Sequence, residues 1–495
     1  MRKISLLSVF FSFLMICQAQ TTISLDSCRQ MALKNNKSIE IARLKKEKAQ
    51  YDRQAAETNY LPKLALTGGY MRTGREISLL SDEQKAALSG IGTSFVGAIQ
   101  QQMPAITTMI TPILAKYPEF APLLTAATTK LPALEQKLNQ AGANVVDAFH
   151  TDSRNIGGAA IILTQPLYMG GKIKAYDRIT HYAENLADLQ LQAGEQEVIL
   201  STDQAYWQVV SLYNKQKLAA NYLDMLRAMQ KDVEAMVNEG FATHASQLSV
   251  DVKVNEAEMT LTKVEDGLSL SRMLLCEICG LPLDTDIMPE DAELSDIHTT
   301  EAAATGSFDD ALTHRSELKQ LETAINIYDE KVKIERSTFL PQIALIGGYA
   351  MYTPNVYNGF SNKLKGDWSI GVTMKLPIWN WGEGKYKIRA AKAEANMQRL
   401  KLSDTQEKIR LQVSQSAFRI NEANKKLALS MKNLEKANEN LRTAQIGFKE
   451  GVINTTETLA AQTAWLQAQS DKIDAQIDVR LSQSLYQKAL GTLLP

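Results

Sequence analysis

The sequence predicts a mainly α-helical protein with a membrane β-barrel portion, built from two copies of a helix–β-hairpin–long-helix repeat. Three observations carry this: an internal duplication, strand segments that alternate apolar and polar residues between aromatic ends, and two proline-free stretches of almost 70 residues. The composition permits it. Hydrophobic residues make up 45% and charged residues 22% of 495, enough to bury a core. The 54 basic residues against 55 acidic ones leave none of the basic excess of a nucleic-acid binder. Four cysteines are too few for a disulfide scaffold.

The chain opens with Arg2 and Lys3, an apolar run from Leu6 to Ile16, and Cys17-Gln18-Ala19. This is the layout of a secretory signal over 1–19, cleaved after Ala19. The run is too short for a membrane-spanning helix, which takes about 20 residues. Lipid attachment at Cys17 is the rival, disfavoured by Ile16, where a small residue is preferred.

Self-comparison shows the duplication. Thr58 to Tyr70, with Leu61-Pro62 and Gly68-Gly69, matches Ser337 to Tyr349 at an offset of 279. Gln165-Pro166-Leu167-Tyr168 matches Leu376-Pro377-Ile378-Trp379 at 211, as Glu239-Gly240 matches Glu450-Gly451. Between Tyr70 and Pro166, repeat 1 (20–280) therefore carries 68 residues more than the matching part of repeat 2 (308–495). The excess falls within an insertion at 72–156. An acidic linker at 281–307 holds Asp284, Asp286, Glu290, Asp291, Glu293, Asp296 and Glu301 without Lys or Arg, and reads as a solvated belt.

Four strands are expected, at 62–71, 157–168, 341–352 and 367–378. The last alternates strictly: Trp368, Ile370, Val372, Met374, Leu376 and Ile378 on one face, Ser369, Gly371, Thr373, Lys375 and Pro377 on the other. Tyr60, Tyr70, Tyr168, Tyr349, Tyr352, Trp368, Trp379 and Trp381 mark the strand ends. Alternating segments of about ten residues between aromatic girdles characterise transmembrane barrels. Four strands cannot close one, and open edges in lipid leave backbone groups unpaired. Several copies must share the barrel: two give eight strands, three give twelve.

Long helices are expected at 171–240 and 382–450, each about 100 Å at about 1.5 Å per residue. Leu191, Val198, Ala205, Leu212, Ala219, Leu226 and Val233 are spaced by seven, as are Ile420, Leu427, Leu434, Leu441 and Phe448. Sustained sevens impose coiled-coil packing. Shorter helices are expected at 26–60, 243–280, 308–339 and 455–490.

This plan resembles the TolC-like outer-membrane channel family. The resemblance lies in the duplicated helix–hairpin–long-helix order, Leu-Pro before each hairpin, Pro-Leu/Ile-aromatic-x-x-Gly after it, a glycine at each long-helix end, and the closing Leu490-Gly491. It covers nearly all the chain beyond the signal except the insertion. It implies a homotrimer in the outer membrane of a Gram-negative bacterium. A twelve-stranded barrel in the lipid and an α-helical barrel in the periplasm would serve as the passive exit duct of a tripartite efflux or type I secretion system. A periplasmic adaptor and an inner-membrane pump would be its partners.

A duct needs walls and a gate. Ser369, Thr373 and Lys375 are expected in the barrel lumen. Gly240 and Gly451 end long helices, where a left-handed residue is usual. The resemblance makes Gly240, Phe241, Gly451 and Val452 the adaptor-docking tips. The flanks Glu239 and Glu450 depart from the family's Val-Gly-Leu or Val-Gly-Thr signature. It also makes Glu457 a periplasmic gate ring, with a second ring position replaced by Ala460. Ala245, Ser246 and Ile453 stand at the gate-locking positions and cannot form an Arg–Asp lock.

No catalytic residues, cofactor or metal site are expected. Cys276-x-x-Cys279 lacks a second ligand pair, Gly170-Gly171-Lys172 lacks phosphate-loop spacing, and the five histidines do not cluster. Ala86 to Ala115 is uncharged and holds Pro104 and Pro112, against a plain membrane helix. The insertion is expected at the cell surface as a helical lid or a flexible loop. The rival reading is a trimeric coiled-coil surface protein or adhesin with a barrel anchor.

Overall fold

The computed structural model describes residues 21–292, except Arg75, Ile77 and Thr151, together with 303–355 and 362–493. The expected signal and Glu293, Asp296 and Glu301 of the linker lie outside the described residues. In chain order the elements are β1 (Thr21–Ile23), α1 (Leu25–Asn35), α2 (Lys37–Glu57), β2 (Lys63–Arg72), α3 (Asp82–Ser89), α4 (Ile91–Lys116), α5 (Ala121–Ala148) and β3 (Asn155–Met169). Then come α6 (Lys172–Asn238), α7 (His244–Cys279), β4 (Ile287–Pro289), α8 (Phe308–His314), α9 (Ser316–Ser337), β5 (Gln342–Thr353), β6 (Lys365–Lys375), α10 (Glu383–Lys449) and α11 (Thr455–Leu490). The chain forms two units, one holding the four-stranded sheet and α3–α5, the other the remaining helices with β1 and β4.

In the helical unit, α6 and α10 are each 67 residues long, and α7 and α11 are each 36. The duplication thus reaches element length. Val198, Ala205, Ala219, Leu226 and Val233 of α6 are buried, as are Ile420, Leu427, Leu434, Leu441 and Phe448 of α10. The seven-residue rows therefore face neighbouring helices. Helix α6 packs on α7, α2, α9 and α11, and α10 packs on α11 and α9. The layer of helices ends at α7 and α2 in one direction and at α10 in the other.

Each shorter first helix is two helices, not the continuous one expected at 26–60 and 308–339. The breaks fall at Asn36 and Arg315, equivalent positions with extended ψ angles of 127° and 116°. No Pro or Gly marks them, because the cause is tertiary. The last carbonyls of a helix lack intrahelical donors. Asn35 and Asn36 side chains donate to Cys279 O and Ile278 O at 3.3 and 3.2 Å. Arg315 donates to Lys488 O and Ala489 O, both at 3.2 Å. Each break thus caps the C-terminus of α7 or α11, beside a left-handed glycine, Gly280 (φ 69°) or Gly491 (φ 76°).

The linker differs from a solvated belt. Strand β4 pairs in parallel with β1, and Ile287 and Met288 are buried. Tyr206 OH donates to Asp291 at 2.6 Å, and Arg272 donates to Asp286 at 3.1 Å. Burial, then the Asp291 bond, holds the Tyr206 phenol well above its usual range. Three-residue strands were too short to leave a pattern in the sequence.

The sheet order is β2-β3-β5-β6, antiparallel throughout. Its register brings Leu66, Ile161, Tyr349 and Trp368 into one row, and Leu64, Leu163, Gly347 and Ile370 into another on the same face. The opposite face carries rows such as Thr67, Ala160, Ala350 and Asp367, and Ala65, Ile162, Gly348 and Ser369. The insertion is helical: α3 and the long pair α4 and α5. Helix α4 runs through Pro104 and Pro112, and α5 through Pro132.

Asp203 of α6 is fully buried and takes two bonds from Arg29 of α1, at 2.7 and 2.8 Å, and one from Ser484 of α11 at 2.7 Å. Removing one partner of a buried ion pair leaves an uncompensated charge and costs about 3–5 kcal/mol. Arg29→Met should therefore lower the thermal unfolding midpoint clearly. Arg29→Met with Asp203→Leu should recover most of the loss. Circular dichroism melts of the two variants check this.

Candidate functional site

The two helix-to-helix tips are built alike. Gly240 and Gly451 adopt φ of 78° and 73°. After each, the chain folds back on the last helical turn. Phe241 N–H donates to Met236 O at 2.7 Å and Ala242 N–H at 3.1 Å; Val452 and Ile453 N–H donate to Gly447 O at 2.8 and 3.0 Å. These bonds satisfy carbonyls the helix end leaves free. Each following helix is then capped. The Thr243 hydroxyl accepts from Ser246 N–H at 3.2 Å, and Asn454 Oδ1 accepts from Glu457 N–H at 2.9 Å. All these pairs are equivalent at the offset of 211.

The side chains diverge on this shared backbone. Met236 and Ala242 of the first tip correspond to Gly447 and Ile453 of the second. The large residue has changed places with the small one. A Cβ on Gly447 would fall 2.7 Å from Ile453 Cδ1, so Ile453 occupies the space the glycine leaves. It packs against the helix end where the resemblance suggested a lock. Phe241 and Val452 stand at equivalent positions and are each 81% exposed. Glu457 is exposed in the first turn of α11, a place the helix dipole favours for a carboxylate. Its counterpart in the first tip is Ser246. His244 Nδ1 lies 3.3 Å from Gln247 on the surface.

Of the expected lumen residues, Ser369 stands beside Gly348, Thr373 beside Ala344 and Lys375 beside Gln342. All three share the face of small and polar residues. The other face is apolar and uncovered: Leu66, Trp368, Ile370 and Val372 are each more than 60% exposed. Strands β2 and β6 are open edges.

The helix layer ends in a related way, which sequence reasoning missed. Leu400, Leu411, Phe418 and Leu429 of α10 are exposed and lie within about 20° around the helix. Leu248, Val252, Met259 and Leu270 of α7 are exposed within about 40°. The signal was an apolar spacing of eleven, close to three helical turns, hidden beside the spacing of seven.

Cys28, Cys276 and Cys279 are buried free thiols. The Cys279 thiol lies 3.7 Å from Cys28 O. Among the described residues no group of three or more side chains could hold a metal ion.

Residues 308–492 match the family described as Outer membrane efflux protein. In structure the chain is similar to the outer membrane protein VceC from Vibrio cholerae, at 15% identity and a TM-score of 0.69, over 94% of this chain and 96% of that one. It is similar to the Campylobacter jejuni CmeC outer membrane channel at 14% and 0.70, over 95% and 86%. It is similar to the open state of the Neisseria gonorrhoeae MtrE outer membrane channel at 16% and 0.68, over 95% and 89%. Comparison by sequence with curated proteins gives no match. The matched part of the chain runs from α8 to α11 and so holds the second hairpin and the second tip. Among the described residues no helix is long and apolar enough to cross a membrane.

The exchange of large and small residues between the tips is testable. Gly447→Met should overpack against Ile453 and loosen the second tip by about 1–3 kcal/mol. Adding Ile453→Ala should restore it, since Met236 with Ala242 already works in the first tip. Hydrogen exchange of residues 440–460 reads both outcomes: faster in the single variant, near native in the double.

Proposed function

We propose that the protein is a homotrimeric outer-membrane duct, the passive exit of a tripartite efflux or type I secretion system. The observation that carries this is the apolar, uncovered face of a sheet with two open edges. Backbone groups left unpaired in lipid cost several kcal/mol each, so such a sheet is stable in a membrane only when copies close it. Three copies give twelve strands, β6 of one against β2 of the next. The apolar rows then meet lipid, while Ser369, Thr373 and Lys375 line water. In the helical unit, the stripe on α10 of one copy would meet α7 of the next, a head-to-tail contact that closes into a ring. The walls would form a periplasmic tunnel.

The tips are the narrow mouth in this reading. Three Glu457 side chains around the axis would favour cations, interleaved with the neutral Ser246 positions. Gly240 and Gly451 set the turns that present Phe241 and Val452 to a periplasmic adaptor. These exposed apolar side chains gain by burial, roughly 1.5–3 kcal/mol each. The adaptor couples the duct to an inner-membrane pump, which supplies the energy.

The test places one charge on each strand face. Ile370→Arg should block barrel assembly, because a cation on a lipid face costs about 2–4 kcal/mol at mid-membrane. Ser369→Arg should assemble and lower single-channel conductance in planar bilayers. In the same assay Glu457→Gln should weaken cation preference. Equal assembly of the two arginine variants without any conductance would contradict the reading.

A further inference from the structure

The segment between β2 and β3 is not needed for a closed wall, yet it is a built structure. At its base, a Cβ on Gly142 would fall 1.9 Å from Leu88 O, and one on Gly92 would fall 2.3 Å from Glu135 O. Only glycine permits so close an approach. Asn139 Oδ1 accepts from Gly92 N–H at 2.7 Å and Thr93 N–H at 3.2 Å, and the Thr93 hydroxyl donates to Glu135 at 2.8 Å. The hairpin of α4 and α5 is therefore held firmly at one end.

Its outer surface is apolar. Between Lys85 and Lys116 there is no charged residue. Phe95, Ile106, Met109 and Ile113 of α4 lie within a sector of about 60°, and Leu123, Leu134 and Val145 of α5 within about 40°. All are exposed, Met109 at 78% and Leu123 at 64%. Thr107, Thr108, Thr111, Thr125 and Thr129 donate their hydroxyls to carbonyls four residues back. Their donors are thus spent within the helix, and the surface asks little of water.

We infer that this hairpin packs on the same hairpin of neighbouring copies, making a helical cap at the loop-bearing end of the shared barrel. The inference rests on the trimer reading above. Two observations select another copy as the occupant. The hairpin is rooted on β2, the open edge where a neighbouring copy must arrive: Arg72 pairs with Asn155, and Thr73 N–H donates to Arg154 O at 2.8 Å. The apolar surface therefore continues that seam. Its stripes also repeat the eleven-residue spacing of the exposed stripes on α7 and α10. That spacing keeps a row nearly parallel to a straight helix axis, which suits helix-on-helix contact.

Cross-linking tests the cap on the full chain in isolated outer membranes. Met109→Cys and Leu123→Cys are treated with a short bismaleimide, and the native chain, whose described cysteines are buried, is the control. The expected result is that most of each variant runs as covalent dimer and trimer, while the control stays monomeric on denaturing gels. Light scattering of the detergent-extracted protein is read beside it. A trimer without cross-links would overturn the cap and leave the duct reading standing. Quenching by brominated lipid of a fluorophore attached to the new thiol of the Met109→Cys variant would overturn it in favour of a lipid contact. A monomer by scattering would overturn both.

Discussion

A four-stranded sheet leaves two rows of backbone donors and acceptors without partners, here along β2 and β6. In water that is tolerable. It becomes costly beside the row of Leu66, Ile161, Tyr349 and Trp368, because a surface so apolar favours lipid, and lipid offers no hydrogen bonds. The two demands conflict in a single chain. In the proposed trimer they are met together, the edge of one copy pairing with the edge of the next. The helical unit carries the same condition in different chemistry: the stripe on α10 and the stripe on α7 are apolar, straight and uncovered.

Duplication explains how one chain presents two different edges. The repeats keep what the backbone requires and vary what the side chains do. Left-handed glycines hold both tips and both C-termini near the breaks. Asn36 and Arg315 solve the same capping problem with different groups. At the tips, the first copy carries Met236 with Ala242 and the second Gly447 with Ile453, so the large residue stands on opposite sides of the turn. Where no packing constraint acts, the copies drift apart, and Ser246 stands opposite Glu457. In the proposed trimer, a ring of such tips would alternate in chemistry around a common backbone.

Much of the helical fold was legible because long helices leave a long signal. Absence of proline and rows spaced by seven accumulate over nearly 20 turns of α6. Strand β6 was legible because its alternation never breaks. The breaks at Asn36 and Arg315 were not, since their cause is a carbonyl some 240 or 170 residues away in the chain. The β1–β4 pair was not, at three residues a strand. The insertion was only half legible: its prolines argued against a plain membrane helix and left a helical lid or a flexible loop open, and α4 continues through them while threonine hydroxyls take up carbonyls along it. Of the candidate site, Gly240 and Gly451 could be read from backbone need. The packing of Ile453 on Gly447 could not, because it compares two residues across a turn.

The central claim is that the open edges are closed by copies of the same chain. The protein mass of the detergent-extracted particle, by light scattering corrected for bound detergent, tests it most directly. The account predicts three chains per particle, unchanged on dilution. A particle of one chain, with the apolar sheet face intact, would contradict it.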